Sequence, residues 1–313
     1  MIGRPIQRRR NCGTAISTSF VFLRLISCDV LPAQSLDGWL HTWLRKVDEA
    51  RASQPHFVSP IVTTHCVLDQ QFRYDMSWRP DPVAGTTANY GLSRGLEIIP
   101  ATRFEVGLFP PGYLVHQRNL PDGFGDFAFE VKFRAFSATE GQGDYFVGFF
   151  LGGSFPTGKV PNGLGHTIFS PTLGVGKGIG PWAIQTTIGA DLPVTGANLL
   201  GRPIIFNTAV DYRIKGKLWP ILEQNATFWS GGPLDGRKQV FLTPGLVIGP
   251  FPVVERLQFL AGGGVQLPGN PRSLAVMNLA ESLPISKAMS ATRQEIRGAR
   301  VTQDESRRKR SAD

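Results

Sequence analysis

The chain is poor in the residues that most chemistry needs. Three cysteines occur in 313 residues, Cys12, Cys28 and Cys66. No Cys-x-x-Cys pair is present, which excludes the usual structural zinc spacing and implies no disulfide framework. The five histidines, His41, His56, His65, His116 and His166, include no pair at metal-ligand spacing on one helix, so no metal is expected. A Gly-x-Ser-x-Gly elbow is absent. Gly174–Gly180 lacks the Gly-Lys-Ser/Thr ending of a phosphate loop and reads as a glycine-rich strand and turn. Ser170 and His166 lie near each other in sequence, but alternate residues on a strand make no triad. The expectation is a protein that is not an enzyme, with no catalytic residues and no cofactor. Outside the N-terminal leader no run of 18 apolar residues occurs, so no transmembrane helix is expected. A barrel strand needs only about ten alternating residues, so a barrel stays open as a possibility.

Charge is also scarce. Charged residues make up 18% of the chain, below the usual quarter. The formal excess of +9 collects in two terminal runs, Arg8-Arg9-Arg10 and Arg307-Arg308-Lys309-Arg310. Basic ends of this kind read as solvated tails or targeting signals, and no nucleic-acid partner is expected.

Aromatic and small residues are plentiful instead, with Phe at 21 and Gly at 36. From Asp126 to Phe136 the aromatic and aliphatic residues Phe127, Phe129, Val131 and Phe133 share one parity. Asp126, Glu130, Lys132 and Arg134 share the other. A strand sends successive side chains to opposite faces. One face is therefore apolar and one charged, which suits a strand with lipid on one side and a wet lumen on the other. The pattern recurs. Ile204, Phe206, Thr208, Val210, Tyr212 and Ile214 alternate with Asn207, Asp211, Arg213 and Lys215. Trp182, Ile184, Ile188 and Leu192 alternate with Gln185, Thr187 and Asp191. Phe146, Phe150 and the Ile221-Leu222 pair break the alternation, and a partly apolar lumen would account for them.

Turn signals such as Pro110-Pro-Gly112, Gly141-Gln-Gly143 and Gly178-Ile-Gly-Pro181 separate about twelve strands. Their approximate limits are 62–79, 90–100, 102–116, 124–138, 143–157, 167–179, 182–194, 203–216, 218–230, 237–250, 256–268 and 272–283. Residues 1–33 read as a cleaved export signal, with an arginine-rich start, a short apolar core and cleavage after Ala33. Leu25-Ile26-Ser27-Cys28 also resembles a lipidation box at Cys28. Leu36, Trp39, Leu40, Trp43, Leu44 and Val47 fall at helical spacing and predict an amphipathic helix that packs on the barrel, covers one mouth or lies at the membrane interface. The expected organisation is a signal peptide (1–33), a short amphipathic helix and linker (34–60), a β-barrel (61–284) and a basic disordered tail (285–313).

The fold class expected is all-β: a transmembrane antiparallel up-and-down β-barrel of about 12 strands with a short N-terminal helix. Its partners would be the lipid bilayer, a small-molecule solute and the outer-membrane assembly machinery, and its place the bacterial outer membrane. Glu130, Lys132, Arg134, Asp211, Arg213, Lys215 and Glu223 carry the inward parity and are expected to line the lumen, setting selectivity through charge and pore width. Two alternatives stand beside this reading. One is a soluble or peripheral β-barrel or sandwich with the aromatics inside, binding an apolar ligand. The other is an outer-membrane hydrolase.

Four stretches carry a family resemblance over about residues 60–268. They are Gly123-Phe-Gly-Asp126 running into Lys132-Phe-Arg134, Phe155-Pro-Thr-Gly158, Leu242-Thr-Pro-Gly245 with Glu223 in the preceding strand, and Gly264-Val-Gln-Leu-Pro268. In order and spacing they resemble the outer-membrane barrels named for the phenol-degradation meta-pathway. That resemblance implies passage of small hydrophobic or aromatic compounds. The C-terminus departs from the family pattern. Instead of a final strand with a terminal aromatic, a polar tail follows, and a missing last strand would leave open edges that lipid does not tolerate.

Overall fold

The computed structural model describes residues 34–81, 83–92, 94–254, 256–269 and 276–279. The expected signal peptide, the expected lipidation box at Cys28 and the expected basic tail lie outside these residues. Helix α1 spans Gln34–Ala52; its first part, through Thr42, belongs to a separate compact unit. In the rest of the described chain the regular structure is antiparallel sheet, apart from short helical turns at Glu140–Gln142 and Ala197–Leu200.

Among the described residues twelve strands make the wall. Several run in two pieces separated by a kink: β1 (Gln71–Phe72 and Met76–Asp81), β2 (Gly85–Tyr90 and Leu96–Ala101), β3 (Phe104–Phe109 and Tyr113–His116) and β4 (Gly123–Phe124 and Phe127–Ala138). They are followed by β5 (Tyr145–Phe155), β6 (Ile168–Ile179), β7 (Trp182–Ala190 and Leu192–Pro193) and β8 (Ile204–Tyr212). The last four are β9 (Leu218–Phe228), β10 (Lys238–Val254), β11 (Leu257–Pro268) and β12 (Val276–Leu279). Each strand pairs with the next, for example Glu223 opposite Thr243 across β9 and β10. The short β12 pairs with β11 through Val265↔Met277 and with β1 through Met277↔Trp78. The ladder thus returns to its start, and the tail beyond 279 is not needed for that return.

The alternation places the faces as the parity dictates. Phe149, Trp182, Ile188, Leu222 and Phe259 point outward and are exposed, Leu222 by 53%. Glu130, Lys132, Arg134, Gln185, Asn207, Asp211 and Glu223 point inward and are buried. The soluble alternative, with aromatics inside, has the two faces reversed relative to this structure. Connections differ at the two ends. Residues 102–103, 139–144, 180–181 and 213–217 make short links at one end, whereas 156–167, 194–203 and 229–237 make long ones at the other.

The first wall strand begins at Gln71, not near residue 62. Residues 53–70 do not join the ladder; they run inside the barrel. Ile61 to Leu68 are buried without a break, so they lack the alternation that a wall strand requires. The barrel boundary expected at residue 61 therefore moves to 71.

Two of the motifs quoted above, distant in sequence, meet at the long-loop end. The Asp126 carboxylate accepts from the Gly158 N–H at 2.8 Å and the Leu164 N–H at 2.5 Å. The Phe127 N–H donates to Thr157 Oγ1 at 2.8 Å. A Cβ on Gly158 would lie 2.4 Å from the backbone oxygen of Gly125, so only glycine permits this approach.

Ile188 is exposed on the outer face of β7, midway along it. Arg in its place is expected to cost about 2–4 kcal/mol in a bilayer if the site lies near the midplane. Urea titration of the protein folded into phospholipid vesicles measures this; an Ile188→Arg variant as stable as the wild type would mean that this face does not meet lipid.

Candidate functional site

The site is the seam between the wall and the internal segment. It is built from both ends of one turn. At 59–63 the backbone turns so that three consecutive N–H groups point at β9. The Glu223 carboxylate accepts all three: Ile61 N–H at 2.6 Å, Val62 N–H at 3.0 Å and Thr63 N–H at 2.6 Å. The carbonyls of the same turn face the other way, to Arg73 in the kink of β1. Its guanidinium donates to Ser59 Oγ, Pro60 O and Ile61 O, each at 2.9 Å. Arg73 is held in turn by Asp75 at 2.8 Å. One carboxylate and one guanidinium therefore satisfy both polarities of a buried turn that has no ladder to join.

The same solution repeats along the segment. Gln185 on β7 donates to Val58 O at 2.8 Å and accepts from the Cys66 N–H at 3.2 Å. Gln54 exchanges two bonds with Leu68, at 2.7 and 3.1 Å. Glu105 on β3 accepts from the Asp69 N–H at 2.5 Å while Lys132 Nζ sits 2.8 Å from its other oxygen. Arg134 donates to Ala50 O at the end of α1, at 2.8 Å. Trp43 on α1 donates from Nε1 to Ile99 O at 2.8 Å.

Apolar contacts fill the space between these bonds. Phe146 and Phe150 pack with Val47, Ala50, Cys66, Val67 and Leu68 of α1 and the internal segment. Trp219, Ile221, Ala209 and Val247 pack with Val58, Ile61 and Val62. Phe146, Phe150 and Ile221 broke the alternation in the sequence, and the break matches the apolar surface of what they touch. Glycines in the wall make room. A Cβ on Gly245 would lie 2.2 Å from Ile61 Cδ1, and one on Gly176 would lie 2.5 Å from Phe57 Cε2. A remaining cavity of about 30 Å³, lined by residues that include Thr64, Glu130, Ser170, Asp191 and Asn207, has room for about one water.

The seven residues expected to line the lumen divide. Glu130, Lys132, Arg134, Asp211 and Glu223 face the interior and are buried, each against other side chains or the internal segment. Lys132 lies between Glu105 and Glu130, the latter at 3.6 Å. Arg213 lies at the short-turn end, where it bridges to Glu140 at 2.8 Å. That hydrogen bond holds the exposed Glu140 carboxyl below its ordinary value. Lys215 is exposed in the turn after β8, at a φ of 49°, and does not face the interior. Arg73, Glu105 and Gln54 were not singled out, and Gln185 was read only as a polar-parity residue. Glu105 carried a signal, being the lone charge among Phe104, Val106 and Leu108. Arg73 carried none, because it sits in a kink where parity is lost.

For hydrolysis the described contacts offer little. Ser170 Oγ donates to Asp191 at 2.6 Å, and His166 Nδ1 meets Thr195 Oγ1 at 2.9 Å; each is engaged apart from the other.

No family model matches the chain, and no curated protein matches it. Among solved structures, the crystal structure of an outer membrane channel from Pseudomonas putida F1 is similar at a TM-score of 0.44 and 11% identity, covering 66% of this chain and 90% of that one.

Cys66 gives the seam a reporter. It is fully buried, its Sγ 3.5 Å from Val175 O, and burial pushes its thiol up to about 12. A thiol this far above neutrality has almost no thiolate and resists alkylation. Replacing Glu223 with Ala leaves three buried N–H groups without an acceptor. The expected cost to the seated segment is about 3 kcal/mol, or roughly a hundredfold rise in its open population. Alkylation at pH 8, followed at Cys66 by peptide mass mapping, should accelerate accordingly in Glu223→Ala. An unchanged rate would show that Glu223 does not hold the segment.

Proposed function

We propose that this chain is an outer-membrane channel for small molecules whose lumen is held shut by residues 53–70. The observation that carries the reading is the polar seam itself, inside a barrel whose outer face is apolar. A plug meant never to move gains as much or more from hydrophobic side chains, because buried charges repay their desolvation only when the geometry is very good. A seam of carboxylate, guanidinium and amide groups has a different property. When it parts, water can take over its hydrogen bonds, so opening costs far less than exposing an equal apolar area.

The short-turn end, where α1 enters, faces the periplasm in this reading, and the long loops face outward, as in bacterial barrels generally. Export would rest on residues 1–33 and insertion on the outer-membrane assembly machinery. The motif resemblance extends the proposal to hydrophobic or aromatic solutes. The stripes Phe146–Phe150 and Trp219–Ile221 would give such solutes an apolar track once the segment has moved. Glu130, Lys132, Arg134, Asp211 and Glu223 would then line the opened path. No catalytic step belongs to this function.

In planar bilayers the wild type is expected to be closed for most of the recording, with brief openings. Glu223→Ala should open more often at the same unit conductance, since it alters the latch and not the wall. A wild type that conducts steadily, with no effect of the substitution, would mean that residues 53–70 do not close the path.

A further inference from the structure

The interior carboxylates differ in their partners. Glu105 and Glu130 share Lys132, Asp75 is paired with Arg73 and Arg94, and Asp191 accepts from the Ser170 hydroxyl. Glu223 is held by backbone N–H groups of the internal segment. Its neighbourhood follows from the register. Ala209 and Thr243 are its cross-strand partners, and Asp211, opposite Ile221, is its diagonal neighbour on β8. Diagonal neighbours on one face stand about 7–8 Å apart. Asp211 is only 2% exposed; Gln185 hydrogen-bonds to its carboxyl, while Oδ2 has no partner of good geometry among the described residues. A buried carboxylate oxygen without a donor is costly and calls for an explanation. Beside the two carboxylates lies an apolar wall of Trp219, Ile221, Ala209 and Val247. The segment occupies this place with apolar side chains, Val58, Ile61 and Val62, and with a cluster of N–H donors.

What the segment supplies there defines what could replace it: an apolar body ending in several N–H donors. We propose that Glu223, Asp211 and the Trp219–Ile221 wall form a binding site for an amphiphilic organic ammonium, which competes with residues 61–63 for the Glu223 carboxylate. A primary ammonium brings three donors and a positive charge. Its three donors divide between the Glu223 carboxylate and Asp211 Oδ2, and its charge supplies at Glu223 what the third N–H did. Its apolar body replaces Ile61 and Val62 against Trp219 and Ile221. Such a solute binds only where the segment has left, so it draws the equilibrium toward the open form. A neutral or anionic analogue of the same shape gains the wall contact but not the two carboxylates. This proposal rests on the channel reading for its role in transport, though not for binding.

The test uses the full chain in detergent or bilayers and three probes of one shape: phenethylammonium, 2-phenylethanol and phenylacetate. Cys66 alkylation, mapped by peptide mass, reports displacement of the segment. Phenethylammonium is expected to raise the rate saturably by roughly tenfold, with the alcohol and the carboxylate near the rate without probe. Asp211→Asn, compared with its own rate without probe, should lose most of the ammonium response. Equal responses to ammonium and alcohol would overturn the proposal, because the wall alone would then account for binding. No response to any probe would overturn it as well. Bilayer current separates the two readings. If Glu223→Ala conducts while the wild type ignores ammonium, the site falls and the channel stands. If ammonium exposes Cys66 but no variant conducts, the channel falls and the site stands.

Discussion

One carboxylate on the ninth strand decides how this barrel is filled. A wall of twelve strands encloses more volume than its inward side chains occupy, and the wall needs polar groups inside because its outer face is apolar. Something must then meet those groups. Glu223 gathers three consecutive N–H groups from a turn that would otherwise be buried with its backbone unsatisfied. Arg73 takes the carbonyls of the same turn. Once that turn is fixed, Gln185 and Glu105 find backbone partners on either side of it, and the apolar residues between them fall against Phe146, Phe150, Trp219 and Ile221. The rest of the interior is arranged around this grip.

The wall and the filling segment are shaped to one another at the level of single atoms. Gly245 and Gly176 leave space that Ile61 and Phe57 take up. Two of the motifs that resemble an outer-membrane family acquire physical meaning here. Thr243-Pro-Gly245 lies opposite Glu223 and receives Ile61, while Asp126 and Gly158 pin a long loop at the far end. These residue types answer to close approach and to backbone satisfaction.

Much of the wall was legible in the sequence because a strand with two unlike solvents must alternate. Phe127 to Arg134 and Ile204 to Asp211 declare both their faces and their extended backbone. The internal segment was not legible, although it left traces. Ile61-Val62 and Val67-Leu68 are apolar on both parities, which fits neither a wall strand nor a solvated linker; they read as the start of a strand because β-branched residues dominate there. Phe146 and Phe150 marked the opposite surface of the same contact. What parity cannot show is which inward charge meets which backbone group, because the partners lie up to 162 residues apart. Arg213 and Lys215 show the other weakness of the pattern. It runs past the end of β8 into a turn, where parity no longer tells inside from outside.

Residues 53–70 are covalently continuous with the first wall strand at Gln71. In the channel reading the obstruction would therefore be on a leash a few residues long. Its return would be a first-order event, set by an effective concentration that for short flexible tethers is in the millimolar range. Closure would then proceed at the same rate however dilute the protein is in the membrane. No exchange between neighbouring barrels is required, and a free peptide copying residues 53–70 would have to exceed that local concentration before it could compete.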